Sequence, residues 1–106
     1  MAERLIEPGE LALDTFAGRV GEAFSVRGVP GSGEPVVLAL AEAVAVGEAA
    51  ATGARVPFSL LFTGPAENIL PQGIYRVEHE ALGATEIFIV PLAPAGDGAR
   101  YQAVFA

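Results

Sequence analysis

The amino-acid sequence predicts an all-β fold: a small, mainly antiparallel barrel or sandwich of six strands, with one short helix near the N-terminus. Three observations carry that expectation. Two apolar, broadly alternating runs follow one another between Val56 and Val90, and read as strands at 56–63, 74–80 and 85–92. Gly64-Pro65, Pro71, Gly73 and Leu82-Gly83 punctuate those runs where turns between antiparallel strands belong. Upstream, Val36, Leu38, Leu40, Val44 and Val46 fall on one period-two face of 34–46, with Ala39, Ala41, Ala43 and Ala45 on the other.

The elements follow in order. Residues 1–12 form a weakly specified lead-in broken at Pro8-Gly9, and 13–106 form a single β domain. A chain of 106 residues is long enough to bury about two thirds of its unfolded surface in one core. Residues 13–21 read as a two-turn helix with Asp14 as N-cap, Phe16 and Val20 on one face, and Gly21 as C-cap. Residues 22–27 alternate, which directs Phe24 and Val26 inward and Ser25 and Arg27 outward. The loop at 28–33 is written by Gly28, Pro30, Gly31 and Gly33. Segment 34–46 reads as a long strand because valine recurs and Pro35 and Gly47 bracket it, although its alanines also suit a buried helix. A connector covers 47–55. The strand at 56–63 turns Phe58, Leu60 and Phe62 to one side. After a loop at 64–72, strands at 74–80 and 85–92 make a hairpin whose tip is 81–84, with Gly83 supplying a positive φ. A turn at 94–98 leads to a last strand, 100–105, with Tyr101, Ala103 and Phe105 on one face.

Five stretches, L-D-T-F-A-G-R-V-G-E-A-F (13–24), P-F-S-L-L-F-T-G-P (57–65), L-P-Q-G-I-Y-R-V-E-H-E-A-L-G (70–83), I-F-I-V-P (87–91) and Y-Q-A-V-F (101–105), together resemble a family of small bacterial domains with no assigned function. F-S-L-L-F, L-P-Q-G-x-Y and E-H-x-x-L-G in this order make the resemblance specific, and it covers most of 13–106. In the family the stretch matching 34–46 alternates charged and apolar residues, which implies a strand; this chain departs by placing alanine there. The resemblance also implies an association with proteins similar to phage tail-collar components, and it gives no residue a chemical role.

Composition narrows the function. The net charge is −7, from 13 acidic and 6 basic side chains, and every basic residue is arginine. Such a chain is repelled by nucleic-acid phosphates and by anionic lipid surfaces, so neither nucleic acid nor membrane is an expected partner. The absence of cysteine excludes disulfides, thiolate metal sites and cysteine nucleophiles. The N-terminal residues lack the basic and apolar regions of a signal peptide, which leads to an expectation of cytoplasmic synthesis, compatible with later export inside a larger particle.

No catalytic constellation emerges. His79 is the only histidine; on a strand, Glu78 and Glu80 point away from it, and its expected role is a packed ring bonded to backbone near the turn. Ser25, Ser32 and Ser59 lie outside any nucleophile motif, with Ser32 read as a turn residue, and Asp14 and Asp97 are accounted for as a cap and a turn former. Glu78 and Glu80 stand about 7 Å apart on one strand face, a spacing that glycosidases use, but no tryptophan platform accompanies them. Gly31-Ser32-Gly33 lacks the lysine of a phosphate loop. The expectation is therefore no catalytic, cofactor-binding or metal-binding residue and no cofactor.

With 52% hydrophobic residues the chain is more apolar than one small core needs, which directs attention to contact surfaces. The candidates are Ile69 and Leu70, in a loop between prolines that either caps the barrel or meets a neighbour, and Ala39, Ala41 and Ala43 on a flat face of small side chains. The expected function is a non-enzymatic structural or interaction domain, an assembly or accessory subunit of a larger, phage-tail-like complex, with a protein partner or self-association. The alternative is a small binding barrel for an apolar or carbohydrate ligand, with Phe58, Phe62, Tyr75, Tyr101 and Phe105 around the cavity.

Overall fold

The alternating runs become strands because each can bury one face while its backbone is satisfied by neighbours. A computed structural model describes residues 5–6, 11–29, 33–48, 55–66, 69–95 and 98–105. In chain order its elements are β1 (Leu5–Ile6), α1 (Leu13–Ala17), β2 (Ala23–Arg27), β3 (Val36–Ala45), β4 (Phe58–Pro65), β5 (Gly73–His79), β6 (Gly83–Ala95) and β7 (Gly98–Phe105).

Six of the strands close a ring. β2 pairs with β3, β3 with β4, β4 with β7, β7 with β6, β6 with β5 and β5 with β2, every pair antiparallel. The all-β expectation is met as a barrel. β1 is an unforeseen addition: Leu5 and Ile6 pair in parallel with Ala84 and Thr85 of β6, so part of the lead-in is sheet. Leu11, also in the lead-in, is buried.

Segment 34–46 is strand, as the valines indicated, but its faces do not run straight through. Leu40 lies opposite Phe62 and Glu42 opposite Leu61, so Ala41 is an extra residue, a β-bulge. Before it, Val36, Leu38 and Leu40 are buried; after it the faces swap. Ala43 turns inward and packs on the core, while Val44 and Val46 turn outward. The expectation that all five large residues share one face is thus corrected.

The helix also differs from expectation. Asp14 sits inside its first turn and Ala12 is the N-cap. Thr15 satisfies that end, its Oγ1 accepting the Ala12 N–H at 3.1 Å while its own N–H donates to the Ala12 carbonyl at 3.0 Å. The helix stops at Ala17 with Gly18 as C-cap, which leaves Val20 outside it and 53% exposed. Gly21 instead takes φ +93° in the turn that enters β2. Its N–H donates to the Leu40 carbonyl at 2.7 Å and joins that turn to β3.

Inward residues fill the ring. Phe16 plugs one end, its ring centroid 5.9–6.2 Å from those of Phe24, Phe58 and Phe105. Toward the opposite end, Leu70 is fully buried and its N–H donates to the Tyr101 hydroxyl at 3.0 Å. The loop before β5 therefore folds back as a cap. Tyr75 anchors it from the other side, donating to the Pro71 carbonyl at 2.5 Å, and burial pushes its phenol above the usual value of 10.0. Six strands leave an interior that side chains can fill. Phe58, Phe62, Tyr75, Tyr101 and Phe105, placed around a cavity in the binding-barrel alternative, all belong to this packed core. The expected turn residues Ser32 and Asp97, and the Gly31-Ser32-Gly33 stretch up to Ser32, lie outside the described residues.

Candidate interaction surface

The outward register of a solvent-facing strand normally carries polar side chains. On β5 that register holds Ile74, Arg76 and Glu78, because Tyr75, Val77 and His79 take the inward positions. Its far half is charged. Glu78 accepts from Arg27 of β2 through one carboxylate oxygen and from Arg76 through the other, at 3.1 Å. The two arginines lie opposite each other across β2–β5, so the carboxylate between them offsets like-charge repulsion. Such exposed pairs contribute at most about 1 kcal/mol each.

One step along, the same face becomes apolar. Ile74 lies opposite Phe88 of β6, and both point outward, 69% and 49% exposed. Val104 of β7 is 59% exposed and lines the same shallow groove, together with Arg55, Glu86 and Phe105. Isolated surface apolar residues are ordinary, whereas a contiguous row across neighbouring strands marks a contact surface. Sequence reasoning missed this row. Its signal was present: in I-F-I-V at 87–90 consecutive residues are all apolar, so a strand there must show apolar groups on both faces.

The residues singled out from the sequence are placed differently. Leu70 is core and offers nothing to a partner, while Ile69 beside it is 53% exposed. Ala39 is exposed, Ala41 is the half-buried bulge residue, and Ala43 faces inward. The bulge therefore breaks the flat alanine face in two. Ile69 and these alanines are not among the residues lining the Ile74–Phe88–Val104 groove.

His79 occupies the end of β5 in the manner its sequence context suggested. Nδ1 accepts the backbone N–H groups of Ala81 and Leu82 at 3.0 and 3.1 Å. An accepting nitrogen carries no proton, so the neutral ring holds its proton on Nε2, which donates to Glu22 Oε1 at 2.6 Å. The ring lies against Phe24, centroids 4.7 Å apart. Its hydrogen bond is the main cause that holds the Glu22 carboxyl below the ordinary 4.5; Arg19, 3.4 Å away, adds to it against an opposing effect of burial. Both ring nitrogens are engaged within the fold. An apolar cavity of about 10 Å³ beside the ring, among Leu11, Phe16, Phe24, Val77 and Leu82, is roughly one water in size.

The remaining polar candidates are likewise engaged or dispersed. Ser59 is buried and its Oγ accepts from Gln102 Nε2 at 3.3 Å, bracing β4 against β7. Glu80 is exposed at the hairpin tip, whereas Glu78 is held by its arginines and Glu86 faces Arg76 across the ladder. Among the described residues no group of three or more His, Asp or Glu side chains is gathered to hold a metal ion, and no helix is long and apolar enough to cross a membrane.

Comparison with known proteins adds a family but no chemistry. A family model described as a domain of unknown function (DUF6916) matches residues 11–105. No curated protein and no solved structure matches the chain.

Proposed function

We propose that this chain, which belongs to the DUF6916 family of domains of unknown function, is a non-enzymatic interaction domain, an assembly or accessory subunit of a larger, phage-tail-like complex. The observation that carries this reading is the row Ile74, Phe88 and Val104, three large apolar side chains on the outward register of adjacent strands, each about half exposed or more. A barrel whose core is already filled gains nothing from these side chains in isolation; covering them removes apolar surface from water, at about 25 cal/mol per Å². The sharp boundary with the Arg27–Glu78–Arg76 cluster gives the row a polar rim on one side, the arrangement of an interface centre and its edge. The resemblance to domains associated with tail-collar-like proteins supports the kind of assembly.

The test compares wild type with Ile74→Glu and Phe88→Glu in the native host. Affinity purification under mild cross-linking, followed by light scattering of the recovered species, gives the size of the assembly. The reading expects wild type in a larger species and both variants as folded monomers. Recovery of both variants in the same species as wild type, or of wild type as a bare monomer at high concentration, overturns it.

A further inference from the structure

The imidazole of His79 joins two parts of the chain 57 residues apart and also holds its own hairpin tip, residues 80–82, against the barrel. These two jobs respond differently to a proton. An imidazolium carries a proton on both nitrogens. At Nε2 nothing changes in kind, because that nitrogen already donates to Glu22. At Nδ1 the role reverses: the acceptor of two backbone N–H groups becomes a donor that points at them. The Ala81 and Leu82 hydrogen bonds cannot survive the second proton, and among the described residues these two N–H groups have the ring nitrogen as their acceptor.

We infer that His79 is an acid-operated latch: a proton on Nδ1 releases the 80–82 tip and uncovers the end of the barrel beneath Leu82. Leu82 is the side chain the tip contributes to the core, and it packs in the same apolar cluster as Leu11, Phe16, Phe24 and Val77. Release therefore turns a closed apolar end toward solvent without unpairing the six-stranded ring.

The charged groups around the ring do not reverse this direction. From the entry to β2, Glu22 keeps its bond to Nε2 in either state and is half exposed, sharing its carboxylate with Arg19. Asp14 of α1 lines a surface depression with Arg19 and Leu82, and Glu80 stands exposed on the tip itself. Phe24 and Val77, and Gly83 and Thr85 on β6, carry no charge. Glu22 favours the imidazolium and Arg19 opposes it, but neither lets Nδ1 keep its two backbone N–H bonds once that nitrogen carries a proton.

The experiment uses the intact protein between about pH 7.5 and 5, the interval in which histidine is the side chain that titrates. Ring-nitrogen NMR follows the His79 tautomer and charge, and hydrogen exchange follows protection of the Ala81 and Leu82 amides, with Val77 and Ile89 as internal references. The expected result is a neutral Nε2–H ring at the upper end. As the ring gains its second proton, protection at Ala81 and Leu82 falls by up to about tenfold per pH unit, the limit for one linked proton, while the references hold. His79→Asn keeps an acceptor suited to a following backbone N–H but has no proton to gain, so its tip protection stays flat with pH. Should that variant fail to fold, the paired wild-type titrations decide alone. Constant tip protection while the ring becomes an imidazolium, or a ring that stays neutral to the lower end with the tip closed, overturns the latch.

Discussion

Phe58 stacks face to face on Phe105, ring centroids 4.6 Å apart and planes inclined by 6°, where β4 meets β7. The Arg55 guanidinium lies 5.7 and 5.8 Å from the two ring centroids and donates to the Leu11 carbonyl at 2.9 Å. Strand pair, lead-in and plug helix meet at this point. Phe58→Ala should therefore cost about 3–5 kcal/mol, a large share of an ordinary domain's stability. Glu80→Ala, at an exposed tip position, should stay within about 0.5 kcal/mol. Urea unfolding monitored by tyrosine fluorescence checks both, and equal midpoints for Phe58→Ala and wild type would contradict the core assignment.

Two glycines that look alike in sequence should behave differently. Gly83 closes the β5–β6 hairpin at φ +92°, a conformation that costs an L-residue about 1–2 kcal/mol. Gly18 has φ −86° and open space where a Cβ would go. Gly83→Ala should lower the melting temperature by several degrees, and Gly18→Ala should leave it nearly unchanged. Differential scanning calorimetry on the two variants reads the contrast directly.

A third glycine tests packing instead of conformation. A Cβ at Gly64 would stand 2.5 Å from Leu38 Cδ2 and 3.5 Å from Tyr101 Cε2, both on fully buried side chains. Gly64→Ala is expected to destabilise by about 1–3 kcal/mol through overpacking. Pairing it with Leu38→Ala makes room, so the double variant should lose less than the sum of the two single changes in a denaturation cycle.

Acid should weaken the fold through Glu22. Its carboxyl is held below 4.5, mainly by the His79 hydrogen bond, so the folded state binds the proton less readily than the unfolded state. That contribution is fully present above pH about 4.5 and is lost as pH falls through the depressed folded value. Glu22→Gln should remove it, giving a shallower decline of stability with acid below pH about 4.5. Melting temperatures from pH 7 to 3 for the two proteins settle the point, and parallel curves would show that the Glu22 contact carries no pH dependence.

How much of this was legible depended on how local the cause was. The strand expected at 56–63 and observed at 58–65, and the hairpin expected at 74–80 and 85–92 and observed at 73–79 and 83–95, were readable because period two and Gly83 act within a few residues; only their ends moved, as pairing carried β4 through Gly64-Pro65 and β6 to Ala95. The bulge at Ala41 was not, since Ala41 is chemically identical to Ala39 and Ala43 and only its partners on β4 decide which one is extra. Val44 and Val46 were assigned to the wrong face for that reason alone. The helix ended early because Phe16, not Val20, meets the ring of phenylalanines, a tertiary choice that propensity does not record. The backbone role of His79 was visible in its place before a turn, whereas its bond to Glu22 spans 57 residues and had no local sign. The Ile74–Phe88–Val104 row is brought together only by pairing across three strands, although outward isoleucine beside Arg76 and Glu78 already broke the expected alternation.

The position of β7 in the ring has a kinetic consequence. It stands between β4 and β6, so neither of those strands has its final neighbour until Gly98–Phe105 has left the ribosome. A nascent chain that ends before β7 carries two bare edges, each able to recruit a strand from another molecule. Refolding must likewise wait for distant meetings such as Leu60 with Ala103, a non-local pairing of the kind that slows folding and prolongs the exposure of those edges.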